Sequence, residues 1–295
     1  MKNKLLKALK TGEIMISDGA WGTMLHEKGL EMGECPELWN ITHREEVFDI
    51  AKKYVLAGAQ MVETNSFGGS SIKLSSFGLE KRTYELNKAA AEISREAAGD
   101  EVFVLGSVGP TGKFLVTEEV TEEELYESFS EQIVALRDGG ADAICIETFY
   151  DLAEAKCAID AVKKNTGLEI ICTFTFDKQM DGSYKTMMGI SPSDMVRFLS
   201  DNKVDIVGTN CGNGFSGMVD IVREIRNADS NIPIIVQANA GLPEIVEGKT
   251  IYTETPAIIA SEIPKLVEAG ANCIGGCCGT TPAHISRIVE ELRKF

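Results

Sequence analysis

The sequence predicts an α/β protein built as a single (β/α)8 TIM barrel with a short N-terminal helix. The chain has 295 residues, and a barrel of this kind needs about 250. Short β-branched apolar runs alternate with amphipathic stretches, which is typical of a parallel sheet covered by helices. No Pro-, Gly- or Ser-rich linker interrupts this alternation, so we expect residues 1–295 to form one domain.

Eight apolar runs are predicted as strands, because each is short, rich in β-branched residues and followed by a turn. They are Glu13–Ser17, Gln60–Thr64, Val102–Ser107, Ala143–Glu147, Glu169–Thr175, Asp205–Thr209, Ile232–Ala238 and Asn272–Gly276. Apolar residues spaced by three and four predict helices after most of these runs. The predicted helices are Arg44–Ala57, Glu122–Arg137, Asp151–Lys164, Asp194–Ser200, Ser216–Arg226, Ala257–Ala269 and Pro282–Arg293.

Local signals support these assignments. Thr121 and Glu124 are spaced as a capping box, and Pro282 suits a first helical turn. The first segment, MKNKLLKALKTGEIMISDGA, predicts a short amphipathic helix and not a signal peptide, because it contains no long apolar core or small-residue cleavage site. An open doubly wound sheet is the alternative architecture, but the G-x-G-x-x-G that usually follows its first strand is missing.

Composition excludes several classes of partner. The formal net charge of −16 would repel a phosphate backbone, so nucleic acid is not expected to bind. No apolar run reaches the roughly 18 residues expected of a membrane helix. Eight cysteines are too few for a disulfide scaffold in a chain of this length. With no targeting signal, the expected compartment is the reducing cytoplasm.

The loops after the strands show where chemistry is expected, because a barrel carries its active site at the carboxyl ends of its strands. These loops read SDGAWGT, ETNSFGG, GSVGPTG, ETFYD, TFTFD, GTNCGNG, QANAGLP and GGCCGTTP. They concentrate small residues, amides, carboxylates and thiols. The loops at the other end, such as AGAQ and DGGAD, are plain turns.

Three cysteines at strand ends predict a metal site. Cys211 ends the sixth strand, and Cys277 and Cys278 end the eighth, so one strand separates the two loops. Three thiolates that leave one position open are typical of catalytic zinc, and we expect one Zn²⁺ per chain. The alternative is that these cysteines are small core residues. The other five are expected to be structural: Cys35, Cys145, Cys157, Cys172 and Cys273.

Two carboxylates at strand ends suggest a substrate clamp. Asp18 ends the first strand and Glu147 ends the fourth, where either could receive an ammonium group. The turn amides after Asp18, including those of Gly19 and Ala20, could form a nest for a carboxylate. The alternatives are a turn role for Asp18 and a loop-amide partner for Glu147. No histidine is assigned to metal, and His284 in the last helix is expected to be exposed.

The loop motifs resemble one family. SDGAWGTML, VETNSFGGS, GSVGPTG, ETFYDLAEA, GTNCGNG, ANAGLP and GGCCGTTPAHI together resemble the homocysteine S-methyltransferases, from about Ile14 to the C-terminus. The thiol pattern, one Cys after Asn and then Gly-Gly-Cys-Cys-Gly, is highly specific to that family. The segment CPELWNITHREEV most resembles the homocysteine-binding module of cobalamin-dependent methionine synthase.

The resemblance implies an enzyme that transfers a methyl group to the thiol of homocysteine to give methionine. It implies zinc ligation by Cys211, Cys277 and Cys278, with Asn239 as an amide that fills the fourth position until substrate arrives. It further implies that the carboxylates of the clamp bind the substrate amino group and that the turn amides bind its carboxylate. Betaine-dependent relatives carry Tyr after the glutamate of the ETF motif, and Thr148 at that position counts against betaine.

The methyl donor is expected to come from outside the chain. Full methionine synthases carry folate and cobalamin domains, for which this chain has no room. The expected donor is methylcobalamin on a separate corrinoid protein, with S-methylmethionine or another small onium compound as the runner-up. Trp21 and Trp39 could face a methylated cation, although packing is the commoner role for Trp.

Two readings from other classes remain. A barrel lyase or aldolase acting on a phosphorylated substrate would need Lys or His at a strand end, and the eight loops lack one there. A non-catalytic homocysteine-binding subunit would keep the same clamp. Methyl-transfer turnover would separate that subunit from an enzyme.

Overall fold

The structure is a computed structural model that describes residues 4–246 and 249–294, and it contains one nearly closed barrel of eight parallel strands with helices around it. The first strand pairs with the eighth, with Met15 opposite Cys273. The first strand contacts the second strand through the backbone amide of Gln60, which donates to the Ile16 carbonyl over 2.8 Å. The predicted fold class is therefore confirmed. The strands are Met15–Ile16, Met61–Glu63, Phe103–Val108, Ala143–Phe149, Glu169–Phe174, Ile206–Gly214, Ile234–Asn239 and Cys273–Gly276.

Helices connect the strands and bury their apolar faces against the barrel. The α-helices are Lys4–Leu9, Trp21–Glu27, Trp39–Thr42, Arg44–Leu56, Ser71–Leu74, Thr83–Ala98, Glu122–Asp138, Leu152–Asn165, Pro192–Asp201, Phe215–Ala228, Pro256–Ile259, Ile263–Ala269 and Pro282–Leu292. The capping box of Thr121 and Glu124 is present. None of the described helices combines the length and apolar character needed to cross a membrane.

One helical prediction needed correction, and one helix was missed. The single helix predicted at Ala257–Ala269 is two helices, Pro256–Ile259 and Ile263–Ala269. Pro264 lies in the first turn of the second one, where its missing amide hydrogen costs nothing, whereas inside a continuous helix it would break a hydrogen bond. The helix Thr83–Ala98 was not predicted. It is alanine-rich and buries one face, which includes Leu86, Ala90, Ile93 and Ala97.

The helix Lys4–Leu9 closes the amino end of the barrel. Leu5 and Leu9 are buried in an apolar cluster with side chains from the strands. The amides of Leu5 and Leu6 donate to the Glu169 carboxylate over 3.1 and 2.8 Å, which places a negative charge at the amino end of this helix. The other buried members of the cluster are Met15, Met61, Leu105, Ala143, Cys145, Ile171, Ile206, Ile235 and Cys273.

The carboxyl end of the barrel carries the longer loops. An antiparallel hairpin follows the fifth strand and pairs Asp177–Lys178 with Tyr184–Lys185. A second hairpin follows the seventh strand and pairs Pro243–Val246 with Lys249–Tyr252. The two ends of the barrel therefore differ: one is closed by a helix and an apolar cluster, and the other is surrounded by polar and Gly-rich loops.

Candidate active site

A cavity of about 370 Å³ opens among the loops at the carboxyl ends of the strands. Its size is in the range of small-molecule sites, and its position is that of barrel active sites. The lining includes the carboxyl groups of Glu37, Glu63 and Glu147, and no Lys, Arg or His belongs to the described lining. Because the wall offers acids and no base, the cavity favours a ligand that brings its own positive charge. Three thiols also reach this lining, those of Cys211, Cys277 and Cys278.

The three thiols converge as the sequence predicted. Their sulfur atoms all lie within 4.8 Å of one another, and the Sγ atoms of Cys211 and Cys278 are 3.9 Å apart. Zn–S bonds of about 2.3 Å at tetrahedral angles would separate two sulfurs by about 3.8 Å. The spacing therefore fits one tetrahedral thiophilic ion with a position left for another ligand. Among the residues described, this is the only cluster of three potential metal ligands.

Backbone geometry brings these thiols together. Cys211 has a left-handed φ of 58°, which is uncommon for a residue with a Cβ atom. The turn lies where the pairing of the sixth and seventh strands shifts register, between Asn210 and Gly214. On the other side, the amide of Cys277 donates to the Ala238 carbonyl over 2.7 Å, which fixes the end of the eighth strand beside the seventh.

The thiols share their protons unequally. Hydrogen bonds from Cys211 and Cys277 hold the pKa of the Cys278 thiol at about 3, far below its ordinary value. The same bonds, together with burial, raise the pKa of Cys277 well above that of a free thiol. The hydrogen bonds within the cluster thus favour the thiolate form at Cys278, and a thiolate is the form that ligates metals.

Asp18 lies at the end of the first strand and is fully buried. One carboxylate oxygen accepts from the Trp21 indole over 3.0 Å and from the Glu63 amide over 2.8 Å, and the other accepts from the Ser17 hydroxyl over 3.2 Å. Burial still raises its pKa to about 6. Asp18 itself is not among the described residues that line the cavity.

Glu147 lies two residues before the end of the fourth strand and lines the cavity. The Ser107 hydroxyl bonds one carboxylate oxygen, and the Asn210 amide donates to the other over 3.2 Å. Burial raises the pKa of Glu147 to about 7, and the negative charge of Asp18 adds to the rise. No salt bridge among the described residues involves Asp18 or Glu147.

Asn210 links the acid side of the cavity to the thiol side. Its amide nitrogen donates to the Thr148 hydroxyl over 2.7 Å, and its oxygen accepts from the Thr148 amide and the Thr173 hydroxyl, both over 2.8 Å. Thr148 has a left-handed φ of 63°, and Asn210 bonds both its amide and its hydroxyl. The residue after Asn210 is Cys211, the other residue of the site with a left-handed φ. The positions of Glu147 and Cys211 are therefore set by one buried side chain.

Comparison with known proteins identifies the family. The family model described as homocysteine S-methyltransferase matches residues 15–292. The chain belongs to this family. Similar curated proteins are the methionine synthases of Mycobacterium tuberculosis, 30% identical over 95% of this chain, and Mycobacterium leprae, 29% identical over 95% of it. The alignments cover 24% of each of those proteins, so the chain spans about a quarter of their length.

Solved structures agree with this assignment. The homocysteine methyltransferase MmuM from Escherichia coli, in its metallated form, superposes with a TM-score of 0.78 at 25% identity and covers 97% of this chain and 99% of its own. The carboxyl transferase domain of pyruvate carboxylase from Rhizobium etli superposes with a TM-score of 0.55 at 14% identity over 98% of this chain and 48% of its own, which is a likeness of fold alone. The chain is thus a barrel from a family of methyltransferases.

Asn239 lies between the two bonds that hold the eighth strand to the seventh in this family member. The carbonyl before it accepts from the Cys277 amide over 2.7 Å, and the amide after it donates to the Cys278 carbonyl over 3.0 Å. The Asn239 side chain is buried, and its oxygen has no hydrogen-bond partner among the described residues. The Asn239 oxygen is therefore a buried acceptor without a partner among the described residues, and its place as a metal ligand, which the resemblance implies, stays a prediction.

The predicted nest of amides is only partly available. Gly19 and Ala20 line the cavity, but the Ala20 amide donates to the carbonyl and the hydroxyl of Thr280, over 3.2 and 3.1 Å. Binding of a substrate carboxylate by this amide stays a prediction, and it would compete with these two bonds to Thr280. Gly19 approaches Thr280 and Tyr54 so closely that a Cβ atom there would lie 2.7 Å from the Thr280 hydroxyl.

The two tryptophans and His284 occupy different kinds of environment in the structure. Trp21 lines the cavity, whereas Trp39 is buried against His43, with ring centroids 4.1 Å apart, and is not among the described lining residues. His284, which we expected to be exposed, is buried. One ring nitrogen accepts from the Thr281 amide over 3.1 Å, and the other bonds the Glu254 carbonyl over 2.8 Å.

Glu63 is one of several cavity residues that the sequence analysis did not single out. Glu63 ends the second strand, is 7% exposed and lines the cavity. Its carboxylate accepts from the Gln237 amide over 2.7 Å. Burial and the charges of Glu147 and Asp18 raise its pKa well above the ordinary value. The signal was present, because Glu63 follows an apolar run just as Glu147 does.

Proposed function

We propose that this chain is a zinc-dependent S-methyltransferase that methylates the thiol of homocysteine and yields methionine. The observation that carries the proposal is the convergence of three thiols on a cavity walled by buried acids and lacking a basic side chain in its described lining. A zwitterionic amino acid with a thiol matches both features. The names of the methionine synthases and of the homocysteine methyltransferase reported above support the same substrate and product.

Each group has a task in this proposal. Cys211, Cys277 and Cys278 would hold one Zn²⁺, and the Asn239 oxygen would be the fourth ligand until the substrate sulfur replaced it. Bound there, Zn²⁺ would supply a Lewis acid that keeps the substrate thiol, whose pKa is otherwise about 8.5, as a thiolate at neutral pH. The acids would fix the ammonium group and so orient the sulfur. The new S–CH3 bond forms as the bond between the methyl group and its donor breaks.

The donor we propose is methylcobalamin on a separate corrinoid protein. The likeness to the methionine synthases, of which the chain spans about a quarter, supports this donor. The likeness to the homocysteine methyltransferase MmuM, which matches over nearly its whole length, favours a small diffusible donor such as S-methylmethionine as the alternative. Thr148 after Glu147 counts against betaine.

The test is methionine formation by zinc-loaded protein from homocysteine and each of four donors: methylcobalamin, S-methylmethionine, betaine and methyltetrahydrofolate. We expect turnover with methylcobalamin and none with betaine, and none in Cys277→Ser with any donor. Turnover with S-methylmethionine alone would replace the corrinoid partner by a small onium donor. Tight homocysteine binding without turnover from any donor would instead make the chain a non-catalytic binding subunit.

A further inference from the structure

The hairpin that follows the seventh strand packs its last residue, Tyr252, against the thiol loop of the eighth strand. Tyr252 lies so close to Gly279 that a Cβ atom on that glycine would overlap the Cγ atom of the tyrosine ring. Gly279 also has a left-handed φ of 77°, which favours glycine. Because Gly279 directly follows Cys278, the tyrosine ring occupies the space beside a predicted zinc ligand.

Backbone hydrogen bonds hold the chain around Tyr252 in place. The Glu254 amide donates to the Ala240 carbonyl, and the Ala240 amide donates to the Cys278 carbonyl, both over 3.0 Å. The Glu254 carbonyl in turn bonds a ring nitrogen of His284 over 2.8 Å. The segment that carries Tyr252 is therefore tied to the thiol loop two residues further along the chain.

The Tyr252 hydroxyl donates a hydrogen bond to the Cys278 sulfur, which adds to the bonds that keep the pKa of this thiol low. Tyr252 is not among the described residues that line the cavity, so it reaches the sulfur from outside the cavity. A thiolate whose pKa is lowered is also a weaker nucleophile. The chain therefore lowers the reactivity of Cys278 without occupying the cavity.

A metal held by thiolates poses a problem of selectivity for a methyltransferase. In the function proposed above, the substrate sulfur and three cysteine sulfurs would all be zinc-bound thiolates, and any of them could attack the methyl group. Attack by a cysteine would form a bond from its sulfur to the methyl carbon while the bond to the donor breaks, which leaves a neutral thioether. Because a thiolate is the form that ligates metals, a methylated cysteine would be a poor ligand.

We propose that Tyr252 is a positioning residue that acts through Cys278: its hydroxyl stabilises the charge on this sulfur, so that the protein ligand is not methylated in place of the substrate. This inference rests on the function proposed above. The ring, which packs on Gly279, and the hydroxyl, which bonds Cys278, can be separated by one substitution. Tyr252→Phe keeps the ring and removes only the hydroxyl.

The test is S-methylation of zinc-loaded protein by methyl iodide in the absence of homocysteine. Each attack joins the methyl group to a sulfur and releases iodide, and fragment mass spectra of the peptides locate the methyl group on each cysteine. Tyr252→Phe should keep one zinc ion per chain and should raise the methylation rate of Cys278 about tenfold, as for the loss of an outer hydrogen bond at a metal site. The rates of Cys211 and Cys277 should stay as in the wild type.

Tyr84→Phe is the matched control. The Tyr84 hydroxyl bonds Asp138 over 2.9 Å, away from the described cavity lining, so its loss should leave all three rates unchanged. Unchanged methylation of Cys278 in Tyr252→Phe, an equal rise at all three cysteines, or loss of zinc from this variant would overturn the inference. Wild-type protein that fails to bind zinc would instead overturn the proposed function itself.

Discussion

Glu147→Gln should make the substrate-free protein less sensitive to pH while it weakens homocysteine binding. In the folded chain, burial raises the pKa of Glu147 from 4.5 to about 7. The folded state therefore holds a proton on this group between those two values, where the unfolded state has lost it. The contribution of this proton to the stability of the folded state is fully present below pH 4.5. It is lost as the pH rises through about 7.

The size of the change in unfolding free energy follows from the pKa shift of Glu147. A difference of about 2.5 pKa units corresponds to about 3 kcal/mol, as an upper bound for a group that interacts with Asp18. Glutamine keeps the shape and cannot ionise. The unfolding free energy of the variant, minus that of the wild type, should therefore increase by up to about 3 kcal/mol between pH 4.5 and pH 8.

Urea denaturation of the metal-free protein across this range measures the difference. A difference that stays constant with pH would refute the argument, because Glu147 would then titrate as an ordinary exposed acid. In zinc-loaded protein the same variant should lose about 1.5–3 kcal/mol of homocysteine binding free energy, the range for a charge-assisted hydrogen bond. Glu154→Gln is the control and should keep wild-type affinity, since its carboxylate bonds Thr111 away from the described cavity lining.

Three further outcomes are expected. Cys211→Ser should lose its zinc on dialysis. The control Cys157→Ser, on an outer helix, should keep one ion per chain. Metal analysis that finds full zinc in Cys211→Ser would remove Cys211 from the ligand set. Glu169→Gln should lower the free energy of unfolding by about 1–2 kcal/mol in urea, because the amino end of the first helix loses its charged acceptor; an unchanged midpoint would mean that this contact adds no stability. Thr121→Ala should cost about 1 kcal/mol by the same measurement, since the capping box is lost, and Thr121→Ser should restore most of it.

The thiol cluster was predictable because it depends on topology alone. Cys211, Cys277 and Cys278 each end an apolar run, and parallel strands bring such ends to one edge of a barrel. The fold class followed from the same alternation of runs and helices. Neither prediction needed knowledge of a side-chain contact.

What the sequence could not predict depends on contacts between distant segments. Ala20 reads as a free turn amide, yet it donates to Thr280, 260 residues away. His284 reads as exposed on the last helix, yet it is held by the Glu254 carbonyl, 30 residues away. The strand-end acids look alike in sequence, and only the structure shows that Asp18 accepts three hydrogen bonds and lies outside the described cavity lining, whereas Glu63 lines the cavity.

The sealed amino end of the barrel has a kinetic consequence. Leu5, Leu9 and the apolar cluster around them leave no polar route along the barrel axis, and the cavity opens among the loops at the carboxyl end. In the function proposed above, homocysteine would enter from the carboxyl end to bring its sulfur to the thiols, and a bulky donor docked there would cover the opening. Substrate should therefore bind before the donor, and methionine should leave only after the spent donor has departed. Initial-rate kinetics should show this compulsory order, with inhibition when excess donor closes the empty enzyme.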